Sequence, residues 1–159
     1  MSVQSYPDFF NDVFGPVMQP GSSSHTAAPC RRGYMAHSLL GEQPAHIRVL
    51  LDREGSFSGT FGLMAEDSAM VAGAMGILPD DVRLFDAQAL ARQDGIDVAF
   101  EFTQLTESCH ANAIKFVLTA PDGFEITLVG DSTGGGMVQT HSVNGCPLHS
   151  RGDTYVLLV

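Results

Sequence analysis

From residue 96 onward, apolar and polar positions alternate. In "IDVAFEF" (96–102), Ile96, Val98, Phe100 and Phe102 fall on one side, the period of two expected of a strand with one buried face. "AIKFVLTA" (113–120) and "FEITLVG" (124–130) flank Pro121-Asp122-Gly123, and "GMVQTHSV" (136–143) runs into Asn144-Gly145. Both turns have hairpin chemistry. "TYVLLV" (154–159) predicts a last strand. The first half has a different rhythm. "PDFFNDVF" (7–14) predicts a short helix with Pro7 in its first turn, ended by Gly15-Pro16, and Pro20-Gly21 turns the loop that follows. A second helix is expected from about residue 25 to Leu40, with Pro29 tolerated near its start, Met35 and Leu39 on one flank and Gly41 closing it. "HIRVLLD" (46–52) reads as a strand, and 66–76 as a buried helix of small residues whose Ala69, Gly73 and Gly76 admit another backbone. A turn and then a helix at about 86–94, stopped by Gly95, complete the series. Helices mixed with one strand, followed by antiparallel strands, make an α+β fold: a mainly antiparallel sheet with helices on one face. At 159 residues without an internal repeat, the expectation is one domain.

Charge narrows the partners. Eight Lys and Arg stand against 18 Asp and Glu, and Arg31-Arg32 is the one tight basic pair, so nucleic acid and anionic membranes are poor partners. The longest apolar stretch, "AMVAGAMGIL" (69–78), is too short to span a bilayer, and "MSVQSYPDFF" does not read as a secretory signal; a cytoplasmic protein is expected. Cys30, Cys109 and Cys146 are odd in number and widely spaced, unlike a disulfide framework.

Candidate chemistry concentrates in "PGSSSHTA" (20–27). At a helix start, serine hydroxyls and free N–H groups form a cradle for a carboxylate or phosphate, although one serine is explained equally by capping. "DSTGGGMV" (131–138) lets a backbone approach a ligand or forms a strand-entry loop; it lacks the lysine of a P-loop. In "SCHANA" (108–113), Cys109 and His110 are adjacent and face apart, while Asn112 could reach a substrate. His37, His46, His141 and His149 show no zinc spacing. Glu66 and Asp67 open a helix, where the dipole favours acids.

In order along nearly the whole chain, "GPVMQPGSSSHTAAPCRRG", "GSF" (55–57), "ILPDD" (77–81), "GID" (95–97), His110-x-Asn112, Gly134-Gly135-Gly136, Asn144-Gly145 and the closing "LLV" resemble the β chain of the iron–sulfur-dependent L-serine dehydratases. The domain type is similar to the substrate-binding regulatory domain of some phosphoglycerate dehydrogenases. The resemblance implies conversion of L-serine to pyruvate and ammonia. It implies a 4Fe-4S cluster held by a partner α chain, so that this chain alone binds none and works as a subunit of a heteromer. A homodimer of β chains is a further option. It also implies that Ser22, Ser23, Ser24 and Thr26 bind the small amino-acid substrate, with His25 catalytic, and that His110, Asn112, Gly134 and Gly135 line the site. One departure stands out. Where the family carries Gly-His-Gly-Thr-Asp, this sequence has Leu63, Met64, Ala65, Glu66 and Asp67. Methionine cannot transfer a proton. Either Glu66, with Asp67, replaces the missing acid/base group, or the chemistry differs, or the chain is non-catalytic: a module that binds a small carboxylate or amino acid and regulates a partner, or a diverged partner subunit. No ACT regulatory domain is expected after "YVLLV".

Overall fold

In the computed structural model, which describes residues 14–152 and 156–157, six strands share one sheet. They are β1 (His46–Asp52), β2 (Asp97–Thr103), β3 (Ala113–Thr119), β4 (Glu125–Gly134), β5 (Met137–Val143) and β6 (Cys146–Ser150), in the order β2-β1-β3-β4-β5-β6. From β1 through β3 to β6 each neighbour is antiparallel. The β1–β2 pair is parallel, with Ile47 opposite Val98. Its crossover carries α2 (Ser56–Thr60), α3 (Glu66–Ala74), a tight turn at Val82–Asp86 and α4 (Ala87–Gln93), the length of connection that parallel pairing requires. The architecture is therefore the α+β class that the sequence predicts.

α1 (Ala28–Leu40) packs on β3 and β4 and against α3. It ends at Gly41, in the left-handed region at φ 84°, as its sequence predicts. Ile47, Val49 and Leu51 of β1, Ile114, Phe116 and Leu118 of β3, and Ile126 and Leu128 of β4 alternate into the core, where they join Ala36, Met70 and Val71. The helix pair meets at the small residues. A Cβ on Gly73 would lie 1.9 Å from the Cys30 carbonyl oxygen, and one on Gly33 2.6 Å from the Ala74 nitrogen. The backbones touch there, as the glycines of 66–76 predict, and any larger side chain would force them apart.

The hairpins form where their residues place them. Asn144 and Gly145 both have positive φ (49° and 75°) between β5 and β6. The register of the last strand differs from expectation. β6 follows that turn at once, while Val156 and Leu157 carry no regular structure and the rest of 154–159 lies outside the described residues. The predicted helix at 7–14 also lies outside them, apart from Phe14. β2 alternates as read, but its apolar face is only half covered, with Phe102 40% exposed. β2 is an edge strand, and Phe61 shields Phe100 and Phe102 edge-on at ring distances of 4.9 and 5.1 Å. Among the described residues no helix is long and apolar enough to cross a membrane.

Candidate functional site

The "SSSHTA" stretch winds a wide turn over Ser23–Ala27 before α1 begins. Ser22 is the cap: its Oγ accepts the His25 backbone N–H at 3.1 Å. Capping thus accounts for one serine, and the next polar groups serve the imidazole. His25 Nδ1 pairs with Ser24 Oγ at 2.9 Å and Nε2 with Ser56 Oγ at 2.9 Å, while Phe57 lies against the ring at 5.0 Å. Ser56 opens α2, and its backbone N–H donates to Ala111 O at 2.7 Å. A Cβ on Gly55 would sit 2.8 Å from that same carbonyl oxygen, so only glycine lets the two segments come so close. Ser132 of β4 closes the circle. Its Oγ donates to Ser24 O at 2.9 Å and its N–H to Asn112 O at 3.0 Å. Four segments distant in sequence meet around one histidine.

His25 and His110 are held differently. Both ring nitrogens of His25 face hydroxyls, which can donate or accept. The ring can therefore gain, lose or exchange a proton without breaking either bond. His110 Nδ1 instead accepts the Asn112 backbone N–H at 3.0 Å. That bond needs a bare Nδ1, so the ring proton sits on Nε2. Asn112 donates its side-chain N–H to Ser132 O at 3.5 Å, and its Oδ1 is buried with no hydrogen-bond partner among the described residues. His110 lines a polar cleft of about 640 Å³ together with Asp52, Arg53, Gln104, Ser108 and Ala111.

No family model matches the chain. It is 35% identical over 148 residues to the L-serine dehydratase β chain of Peptoniphilus asaccharolyticus, a match covering 93% of this chain and 66% of that relative. It is 34% identical over 148 residues, with the same coverage of each, to the probable L-serine dehydratase β chain of Bacillus subtilis strain 168. The chain belongs to the L-serine dehydratase β-chain family. It spans 66% of the length of these two relatives.

In this L-serine dehydratase β-chain relative the stretch Leu63–Asp67 stands beside the His25 turn. Thr26 Oγ1 donates to Met64 O at 2.8 Å, and Met64 N–H donates to Glu66 Oε2 at 2.9 Å. Ala65 between them takes a left-handed φ of 56°. The Met64 backbone is thus pinned on both sides, and Leu63 and Met64 hold their side chains toward solvent. Glu66 is fully buried, and its Oε1 has no hydrogen-bond partner among the described residues. Asp67 Oδ2 accepts from the Gln88 amide at 2.5 Å. Gly134, Gly135 and Gly136 form the β4–β5 turn with φ of 99°, 62° and 82°. Arg31 Nη1 donates to Gly136 O at 2.6 Å, and a Cβ on Gly136 would meet Pro16 at 2.6 Å.

The described residues offer no fit for cluster ligation. Among the described residues no group of three or more His, Cys, Asp or Glu is placed to hold a metal ion. Cys109 and Cys146 are exposed. Cys30 is buried and donates to Ile77 O at 3.3 Å, and burial, aided by the charges of Asp80 and Asp81, pushes its thiol up to about 12, away from the thiolate that a metal requires. Two residues of the site escape sequence reasoning. Ser56 lies within "GSF", a family marker with no side-chain role attached, and Ser132 within a glycine-rich stretch whose glycines draw the attention. A serine has no local pattern that distinguishes a hydroxyl facing a distant imidazole from a solvated one.

Proposed function

We propose that the chain is the β subunit of a lyase that dehydrates and deaminates L-serine or a serine-like amino acid, together with a companion α chain bearing a 4Fe-4S cluster. The β-chain names of both relatives support a companion α chain. Loss of a proton from Cα and of hydroxide from Cβ leaves an enamine, which tautomerises and hydrolyses to a 2-keto acid and ammonia. In that assembly the cluster would supply a Lewis acid for the substrate hydroxyl. This chain supplies binding and proton transfer.

The observation that carries the proposal is the His25 imidazole held between two hydroxyls. A group that exchanges a proton without losing a partner is suited to acid–base work. Ser22, Ser23 and Ser24 bring hydroxyls to the entry of α1, the end of a helix that favours a carboxylate, with Thr26 fixing the turn through Met64 O. His110, Asn112, Gly134 and Gly135 complete the substrate side. Glu66 Oε1 is the oxygen left for proton exchange near the position where the family carries histidine, with Asp67 behind it. The test is anaerobic co-expression with a cluster-bearing α chain, followed by keto-acid release from L-serine. Turnover that survives His25→Ala unchanged refutes the site.

A second reading is favoured by Met64, which puts a thioether where the family has an imidazole. On that reading the chain is a non-catalytic module that binds a small amino acid and regulates a partner. Amino-acid binding by the isolated chain, with no complex formed, would select it.

A further inference from the structure

Behind His110 and Asn112 stands a polar cluster that the proposed reaction does not use. Asp131 of β4 is 4% exposed, and both its oxygens are engaged. Oδ1 accepts from Ser108 Oγ at 2.7 Å, and Oδ2 meets His141 Nε2 of β5 at 2.5 Å. Arg32 of α1, fully buried, donates from Nη1 to Thr140 Oγ1 at 2.9 Å, next in the chain to His141. Burial draws this guanidinium down to about 10, and the charge of Asp131 opposes the fall. His149 of β6 stands edge-on to His141 at 6.4 Å. An ionised carboxylate is a pure acceptor, and both oxygens of Asp131 have a partner.

That polarity passes along the loop. Ser108 has one hydroxyl proton, and Asp131 takes it, so the oxygen lone pairs face the other way. They accept the His110 backbone N–H at 3.0 Å. With His110 so placed, its Nδ1 receives the Asn112 N–H at 3.0 Å. The segment between β2 and β3 has no regular structure, and side-chain pins hold it. Leu105 N–H donates to Asp52 Oδ2 at 3.0 Å, and Lys115 meets Glu107 at 2.8 Å, both farther from the ring along the chain than Ser108. In the order Asp131, Ser108, His110, Asn112 each residue accepts a hydrogen bond from the next, Ser108 holding the His110 backbone and the Asn112 N–H holding the ring.

We infer that Asp131, acting through Ser108, is the positioning residue that holds His110 as an Nε2–H donor on the wall of the polar cleft. This rests on the reading of His110 as a site residue. It divides the work between the two imidazoles: His25 exchanges protons, and His110 offers a fixed hydrogen bond to an acceptor such as the substrate carboxylate.

Ring 15N–1H correlation spectra of the full chain, labelled in histidine, read the tautomer directly. The wild type should show His110 as the Nε2–H form. Ser108→Ala and Asp131→Asn should each convert His110 to a mixture of tautomers, leave the His25 signals in place, and Ser108→Thr should restore the single form. Should Asp131→Asn not fold, the half-buried Ser108 variants still decide. An Nδ1–H ring in the wild type, or an unchanged His110 signal in Ser108→Ala, overturns the assignment. In the reconstituted pair, Ser108→Ala should raise the KM for serine roughly tenfold, the size of one lost hydrogen bond, with kcat little changed. A fall in kcat at constant KM counts against the donor role. A wild-type pair without turnover would sink the lyase proposal and leave the ring spectra to judge this one.

Discussion

His25 Nε2 lies 2.9 Å from Ser56 Oγ, and this bond joins the entry of α1 to the first residue of α2. If the imidazole moves a proton in the reaction, His25→Ala should lower kcat by roughly 10²–10⁴-fold, the usual worth of a positioned acid–base group. Ser56→Ala removes a partner and leaves the ring, so its effect should be nearer tenfold. Steady-state keto-acid release by the reconstituted pair measures both. Equal losses in the two variants would mean that the serine does more than orient the ring.

Met64→His restores an imidazole where the resemblance places one. The backbone bonds of Met64 use its N–H and C=O, which any residue other than proline supplies, and its side chain is 42% exposed. Stability should therefore change by less than about 0.5 kcal/mol. Turnover by the reconstituted pair should rise, by up to ~10²-fold if the methionine costs the enzyme an acid–base group. No gain would show that the site has settled on chemistry without that histidine.

The contact of α1 with α3 allows a sharper stability test. In Gly73→Ala the new methyl would overlap the Cys30 carbonyl, which belongs to a helix backbone and cannot swing away. Urea unfolding should show a loss of about 3 kcal/mol. Gly59→Ala in α2 is the control: nothing lies within 4 Å of its Cβ and its φ is ordinary, so the same substitution should be neutral or stabilise by roughly 0.5 kcal/mol.

Cys30 links stability to alkaline pH. Its folded thiol is raised from 9.0 to about 12, first by burial. Between those values the unfolded chain loses the proton and the folded chain keeps it, so stability is full below pH 9 and falls as pH rises towards 12, by up to ~1.4 kcal/mol per unit. Denaturation midpoints of wild type and Cys30→Ala at pH 8 and pH 10.5 should therefore converge at the higher pH. Parallel curves would mean that Cys30 is not the group responsible.

The strands of the second half were legible because period-two alternation and glycine-bearing turns are local signals, and the sheet obeys both. The end of α1 at Gly41 and the close contact at Gly73 were legible for the same reason. The insertion of β1 between β2 and β3 was not. Its neighbours lie at residues 97–103 and 113–119, and nothing in "HIRVLLD" states that both its edges will be paired. The site divides in the same way. His25 and its serines announce themselves as a cluster, whereas Ser56, Ser132 and the Asp131–Ser108 pair become visible only once the sheet has brought them together. Glu66 looked like an acid placed for the helix dipole, yet its carboxylate turns back to hold Met64 in a strained loop.

The place of β1 in the sheet also sets the order in which the molecule can be built. β4 to β6 pair only with strands adjacent in the chain, so the hairpins from β3 onward can close as soon as they are made, while β1 must wait across the whole crossover for both of its neighbours. During synthesis, the segment bearing His25 emerges early and lacks Ala111 and Ser132, the residues that wall it in. The hydrogen-bonded surround of His25 is finished among the last acts of folding, and a nascent chain stalled before β4 would carry the imidazole without it.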